Sequence, residues 1–206
     1  MNRDLDPNAA QRTLFDESNT TAGGFYKLLT ASVVPRPIAW VSSRSADGVD
    51  NLAPFSFFSV SSTNPPIVQF TTVGGFKNSS DNARATGQFV INIATESMID
   101  LVNATSAGFD EDVNEFEAVG VASEPAAVVD CLRVRDSPVS IECVLHQIIE
   151  VGNSQVVMGR VVAVSVATSV AAADGHPDFA KLAPLARLGR TEWALPGEVV
   201  ERARPR

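Results

Sequence analysis

Histidine, cysteine and tyrosine are scarce in this chain, at two, two and one of 206 residues. Each scarcity removes a class of function. Cys131 and Cys143 form no close C-x-x-C pair, so neither a disulfide framework nor a zinc ribbon can be built from them. His146 and His176 stand far apart, which leaves no histidine-rich metal centre and no Cys–His nucleophile pair. His146 reads as a surface or structural histidine, and no metal ligation is expected. Positive charge is also short: 16 Lys and Arg against 24 Asp and Glu give a net charge of −8, the wrong sign for a nucleic-acid or anionic-membrane binder. Any anion this chain holds must be held by local cations.

Long apolar runs are missing as well. The stretch 156–173 is broken by Gly159-Arg160 and by Ser165, Thr168 and Ser169, and its β-branched residues mark a buried strand rather than a membrane helix. The opening Met1-Asn2-Arg3-Asp4-Leu5-Asp6 has no apolar signal core, so a cytoplasmic location is the expectation. The glycine-rich dinucleotide motif, the P-loop, H-E-x-x-H and G-x-S-x-G are all absent. If the chain is an enzyme, its reactive chemistry belongs to a cofactor.

What is present is a globular composition, 45% hydrophobic and 19% charged, in a chain long enough to bury one core without staples. The expected organisation is an N-terminal arm over 1–20, either disordered or laid on another surface, one domain over 21–195, and a tail over 196–206. Alternation predicts a strand over 33–43, entered through Pro35-Arg36-Pro37. Asp47-Gly48 marks a turn, 51–61 a return strand, and 67–73 a third strand after Pro65-Pro66. Ser79 and Ser80 are placed to cap a short helix over 81–85 that stops at Gly87. A strand over 88–95 follows, then a helix from near Glu96 and a helical piece over 114–118. Strands over 140–146 and 155–166 flank the turn Gly152-Asn153-Ser154. The sum is a mainly β fold, an antiparallel sheet closing on itself, with a few peripheral helices.

Three polar clusters are candidates for an anionic cofactor. Arg36 sits between two prolines that restrict its backbone, so it is either an aimed guanidinium or a solvated strand-end arginine. Lys77-Asn78-Ser79-Ser80-Asp81-Asn82 joins a cation, hydroxyls and the free N–H groups of a helix start, which is a phosphate-binding arrangement and also an ordinary capped helix. Arg187 and Arg190 flank Gly189 and read as a third cationic point or as a charged tail. Between these, Asn51-Leu52-Ala53-Pro54-Phe55-Ser56-Phe57-Phe58 mixes aromatic and small residues. Such a stretch offers apolar walls and backbone groups to the edge of a flat heterocycle, or supplies phenylalanines to a barrel core.

The order of these segments resembles the flavin reductase-like family with an FMN-binding split barrel. The likeness runs through Pro35-Arg36-Pro37-Ile38-Ala39-Trp40-Val41-Ser42-Ser43, the Asn51 to Phe58 motif, Asn64-Pro65-Pro66, the Lys77 to Asn82 motif, Asn103-Ala104-Thr105-Ser106, Glu115-Phe116-Glu117, Ser137-Pro138 and Arg187-Leu188-Gly189. The resemblance implies a homodimer whose split barrels hold FMN near the subunit interface. It implies that Lys77, Asn78, Ser79 and Asn82 lie at the phosphate with Arg36 assisting, and Arg187 as a further carry-over. Asn51 and the backbone of Ala53, Pro54, Phe55 and Ser56 would face the ribityl chain and ring. Asn103, Thr105 and Ser106 would line either the ring-side cavity or the dimer contact.

In family members similar to the short flavin reductases, a Gly-Asp-His element associated with nicotinamide use stands near the position of Asn153-Ser154-Gln155, where this chain has no histidine. The implied activity is that of an FMN-dependent oxidoreductase, taking hydride from NADH or NADPH and passing electrons to free flavin, oxygen or a partner monooxygenase. The alternatives are a flavin acting directly on a small organic substrate, and an electron carrier without turnover.

Overall fold

The chain's computed structural model describes residues 12–74 and 78–205. Part of the expected N-terminal arm, and Lys77, lie outside the described residues. Thr21 starts the first element by accepting the Gly24 N–H on its hydroxyl at 3.1 Å, and helix α1 runs Ala22–Ser32. The sequence pattern gave no helix there, because Gly23-Gly24 sits in its first turn and no apolar stripe marks the rest.

Strand β1 (Arg36–Pro37) is short, and β2 (Ala39–Arg44) begins beyond Ile38, so the expected strand over 33–43 is divided. The pleat sends Ala39 and Val41 into one apolar cluster, with Ile38 and Trp40 in a second on the opposite face. β2 is buried on both faces. The Asp47-Gly48 turn, with Gly48 at φ +88, returns the chain into β3 (Asp50–Phe55), antiparallel to β2.

The expected single strand over 51–61 is corrected at this point. β3 ends at Phe55, and β4 (Phe58–Thr63) pairs instead with β5 (Pro66–Val73). The chain changes partner at Ser56-Phe57, where Phe57 O accepts the Thr71 N–H at 2.9 Å. Alternating hydrophobicity reports a strand's faces and carries no information on which neighbour it bonds, so the switch is invisible in the pattern.

Helix α2 (Asn78–Thr86) starts earlier than expected, with Ser79 and Ser80 buried inside it rather than capping it. Gly87, at φ +73, ends it. Strand β6 (Gln88–Ile93) follows, then a single 3₁₀ turn and α3 (Ile99–Ala104), and α4 (Glu115–Val119), capped by Asn114 and ended by left-handed Gly120. The pair β7 (Ser123–Pro125) and β8 (Leu132–Val134) was not foreseen. Its loop is tied to fully buried Glu142, whose carboxylate accepts the N–H groups of Ala127, Val128 and Val129 at 2.9, 2.7 and 3.1 Å.

The long hairpin of β9 (Val139–Val151) and β10 (Ser154–Val166) supplies the middle of the sheet, and two register shifts let it bend. After α5 (Phe179–Leu182), strands β11 (Ala186–Arg187) and β12 (Trp193–Ala194) form a small sheet with β1.

The seven-stranded sheet has the order β3-β2-β6-β9-β10-β5-β4, antiparallel throughout. Its two edges, β3 and β4, are consecutive in the chain and joined at Ser56-Phe57. The sheet therefore curls into an antiparallel barrel that is split between its edges, with peripheral helices, as the sequence led one to expect. Phe70 and Phe89, both fully buried with rings edge-on at 5.4 Å, fill one cluster; Trp40, Leu52, Val102 and Phe116 fill the other. Buried Asn92 ties strands across the core: its amide donates to Trp40 O and Ser42 Oγ and accepts from Val134 N and Ser140 Oγ, all at 3.0–3.1 Å. A cleft lies on the β3 edge, against α2, α4 and the turn after α3.

Candidate cofactor site

A cleft of about 280 Å³ opens between β3, the start of α2 and the segment after α3. From β3 it is lined by Asn51, Ala53, Pro54 and Phe55; from α2 by Asn78 and Ser79; after α3 by Thr105 and Ser106. Residues from three separated motifs thus meet at one cavity. Glu115, at the first turn of α4, completes the polar wall.

Asn51 is 4% exposed and Glu115 is also 4% exposed, so their polar atoms must satisfy one another. In the orientation its neighbours favour, the Asn51 amide donates to Glu115 Oε1 at 3.1 Å and accepts from Ser79 Oγ at 2.9 Å. Glu115 Oε2 accepts the Leu52 N–H at 3.0 Å. Burial pushes the Glu115 carboxyl up from its ordinary value, while the Leu52 N–H pulls the other way. Sequence reasoning gave Glu115 no role, although Asn114 before an acidic first turn signals the helix that presents it. No local pattern places that helix opposite Asn51.

The remaining candidates divide. Asn82 is buried behind the cleft and donates to Ser43 Oγ at 3.2 Å. Thr105 is buried and accepts the Trp40 indole N–H at 2.9 Å, which fixes the turn after α3 on the core. Asn103, Ser106, Pro54 and Ser56 line a neighbouring cavity of about 130 Å³, walled also by Trp193 and Arg187. Arg36 does not line the cofactor cleft. It is 7% exposed, and its guanidinium donates to the carbonyls of Thr30, Val33 and Leu188 and to Ser56 Oγ. Arg187 stacks over the Trp193 ring at 4.6 Å and donates to the carbonyls of Arg190 and Glu192. Lys77 precedes Asn78 and lies outside the described residues. His146 and His176 are exposed and away from the cleft, and the described residues hold no cluster of ligands fit for a metal ion.

The cleft suits a planar group with an anionic tail. Asn78, Ser79 and the start of a nine-residue helix line one side, where backbone N–H groups and the helix dipole favour an anion. Ala53, Pro54 and Phe55 give the other side small and aromatic walls with backbone groups available for a ring edge. The buried Glu115 carboxylate is an acceptor suited to hydroxyl donors.

Fold and cleft together define a split antiparallel barrel with a cleft along its β3 edge. Residues 31–183 match the family described as flavin reductase like domain, and the chain belongs to that family. It is similar to an uncharacterized protein of Aquifex aeolicus, 33% identical over 179 residues, which are 85% of this chain and 91% of that one. Among solved structures it resembles nitrilotriacetate monooxygenase component B from Bacillus cereus, with TM-score 0.89 and 30% identity over 94% of this chain and all of that one. It also resembles 2-nitrobenzoate 2-nitroreductase NbaA from Pseudomonas fluorescens, with TM-score 0.84 and 28% identity over 94% and 96% of the two chains. Membership supports a flavin-linked oxidoreductase role in general terms.

Proposed function

We propose that this protein is an FMN-dependent oxidoreductase that takes electrons from NADH or NADPH and delivers them, through reduced flavin, to a partner oxygenase or to free flavin. The reading is carried by one observation: Asn51, Ala53–Phe55, Asn78, Ser79, Thr105 and Ser106 come from distant motifs and line a single cleft. When bound, FMN supplies reversible two-electron chemistry that no side chain here provides. In this assignment Ser79, Asn78 and the N-terminal N–H groups of α2 hold the phosphate, with Lys77 preceding them and Asn82 bracing the helix through Ser43. The β3 backbone from Ala53 to Phe55 orients the ring. Asn51 and Glu115 set the polarity of the wall between, and Thr105 and Ser106 close the side toward the neighbouring cavity.

Similarity to component B of a monooxygenase favours the two-component role. The protein acts as a homodimer in this reading. Support comes from an apolar groove beside α1 and β4, where Leu29 and Val33 are exposed next to Phe57 and Phe58. Among the described residues no helix is long and apolar enough to cross a membrane, and a cytoplasmic site of action fits such a reductase.

A second reading, direct turnover of a small organic substrate at the flavin, is favoured by the turn at Asn153-Ser154, which bears no histidine, and by similarity to a nitroreductase. The test is to load the purified protein with FMN, mix it anaerobically with NADH and with NADPH, and follow loss of flavin absorbance. Bleaching by either supports the first reading. Retained FMN without bleaching defeats it, bleaching by an organic substrate without pyridine nucleotide then supports the second, and failure to bind FMN defeats both.

A further inference from the structure

A second cleft, of about 580 Å³, lies between α1 and the turn after β11. Its charged lining is Lys27, Arg36, Arg187 and Arg190, and no Asp or Glu lines it. None of these four cations has a carboxylate within ion-pair distance among the described residues. In a chain with eight more acidic than basic residues, that segregation is built by the fold.

Arg36 and Arg187 face each other across the β1–β11 pair, a placement that costs stability for like charges. Burial and the charge of Arg187 both hold the Arg36 guanidinium below its ordinary pKa. Gly189 lets the turn approach α1 so closely that a Cβ there would stand 3.1 Å from Ala31 Cα. Arg190 then adopts a left-handed backbone at φ +54, uncommon for a side chain of its size. Its side chain and that of Lys27 are exposed and make no hydrogen bond or ion pair among the described residues.

The cationic cleft adjoins a smaller cavity that in turn adjoins the first cleft. The cavity of about 130 Å³ shares Ser56 and Arg187 with the cationic cleft, and Pro54 and Ser106 with the cofactor cleft. Its remaining lining is Ile38, Val102 and Trp193, with the one polar residue Asn103. A ligand with its anionic group among the four cations and a planar part beside Trp193 therefore extends toward the flavin ring.

We propose that the cationic cleft binds the oxyanion, phosphate or carboxylate, of the molecule that exchanges electrons with the flavin, and that Arg190 and Lys27 are its free ligating cations. This assignment rests on FMN occupying the first cleft. It makes the substrate an anion and gives its charged end a place separate from the cofactor phosphate.

The test uses FMN-saturated protein, so that the cofactor's phosphate subsite is filled, titrated calorimetrically with inorganic pyrophosphate and with benzoate. Wild type is compared with the double variant Lys27→Gln/Arg190→Gln, whose fold is checked by circular dichroism. At least one probe is expected to bind wild type, to weaken with added salt, and to lose about tenfold or more in affinity in the variant, while FMN affinity stays unchanged. Preference for pyrophosphate identifies a phosphate-bearing substrate, and preference for benzoate a carboxylate. The proposal is overturned if neither probe binds, if the double variant binds both as wild type does, or if FMN affinity falls in step with anion affinity. Should wild type fail to bind FMN at all, the cofactor assignment fails, and the same titrations on the protein as purified still decide whether the cleft is an anion site.

Discussion

The side chains of Asn51 and Glu115, 64 positions apart in the chain, meet at 3.1 Å in the wall of the candidate cofactor cleft, both almost wholly buried. The contact locks α4 to β3, because Glu115 also accepts the Leu52 N–H. Replacing Glu115 by Ala leaves the Asn51 amide N–H without its acceptor and leaves Leu52 N–H only the longer bond to the Asn51 amide oxygen, at 3.2 Å. The expected cost is about 1–3 kcal/mol of stability, together with weaker FMN binding. Glu115→Gln retains an acceptor for Leu52 and is milder on both counts. Denaturant melts and FMN titration of the two variants check this, and equal losses in Ala and Gln would show that the acceptor is not what matters.

The same carboxyl gives a pH dependence. Burial raises its pKa in the folded protein, so the folded state holds the proton more tightly than the unfolded chain does. The stabilising effect of protonation is complete below the ordinary carboxylate value and is lost as pH rises through the raised one. Glu115→Gln does not titrate. The stability of wild type minus that of Glu115→Gln is therefore expected to be largest at the acid end, to fall through this window, and to be flat outside it. Urea melts of both proteins across the acidic range measure that difference, and a rise with pH would contradict the assigned burial.

Gly159 illustrates a constraint on the barrel interior that no turn requires. A Cβ at this position would stand 2.8 Å from Cys143 Cβ and run into the Phe89 ring, which is fully buried. Gly159→Ala is expected to destabilise by about 1–3 kcal/mol through overpacking, and Phe89→Leu in the same chain to recover part of the loss. Thermal melts of the single and double variants test the coupling; strict additivity would remove Phe89 from the account.

Much of this architecture was legible in the residues, for a physical reason. Alternation in β2 and β10 and turn residues such as Asp47-Gly48 act locally, so strands, turns and the mainly β class could be read directly. The segments around Asn51 and Ser79, which meet at one cleft, could be singled out because both combine small and polar groups over a short stretch. What escaped depends on distant packing. The partner switch at Ser56-Phe57, the approach of Glu115 to Asn51 and the α1 helix have no periodic signature. Arg36 shows the same limit: two flanking prolines suggest a fixed guanidinium, but not that its hydrogen bonds go to Thr30, Val33 and Leu188.

Cys131 and Cys143 are both buried, and desolvation pushes their thiols up to about 11 and about 12 respectively. Neither supplies thiolate at ordinary pH. Folded protein treated with iodoacetamide at about pH 8 is expected to stay unmodified, with both cysteines alkylated once it is unfolded. Mass spectrometry before and after denaturation reads the outcome, and rapid native labelling at either position would disprove its burial.

Arg36 is the fastener of the region between the two clefts. One guanidinium joins the end of α1, through Thr30 and Val33, to the turn after β11, through Leu188, and reaches Ser56 at the bend that closes the barrel. Four acceptors in three segments need a planar fork, which lysine lacks. Arg36→Ala is expected to cost about 2–4 kcal/mol, since the buried Thr30 carbonyl and the part-buried carbonyls of Val33 and Leu188 lose a charged donor, and Arg36→Lys to recover only a minor part. Because Arg36 does not line the cofactor cleft, FMN affinity measured well below the melting temperature should stay near the wild-type value in Arg36→Lys. Anion binding in the second cleft, which depends on the turn carrying Arg187 and Arg190, should weaken in the same variant. A loss of FMN affinity with anion binding intact would reverse the assignment and make Arg36 a cofactor ligand.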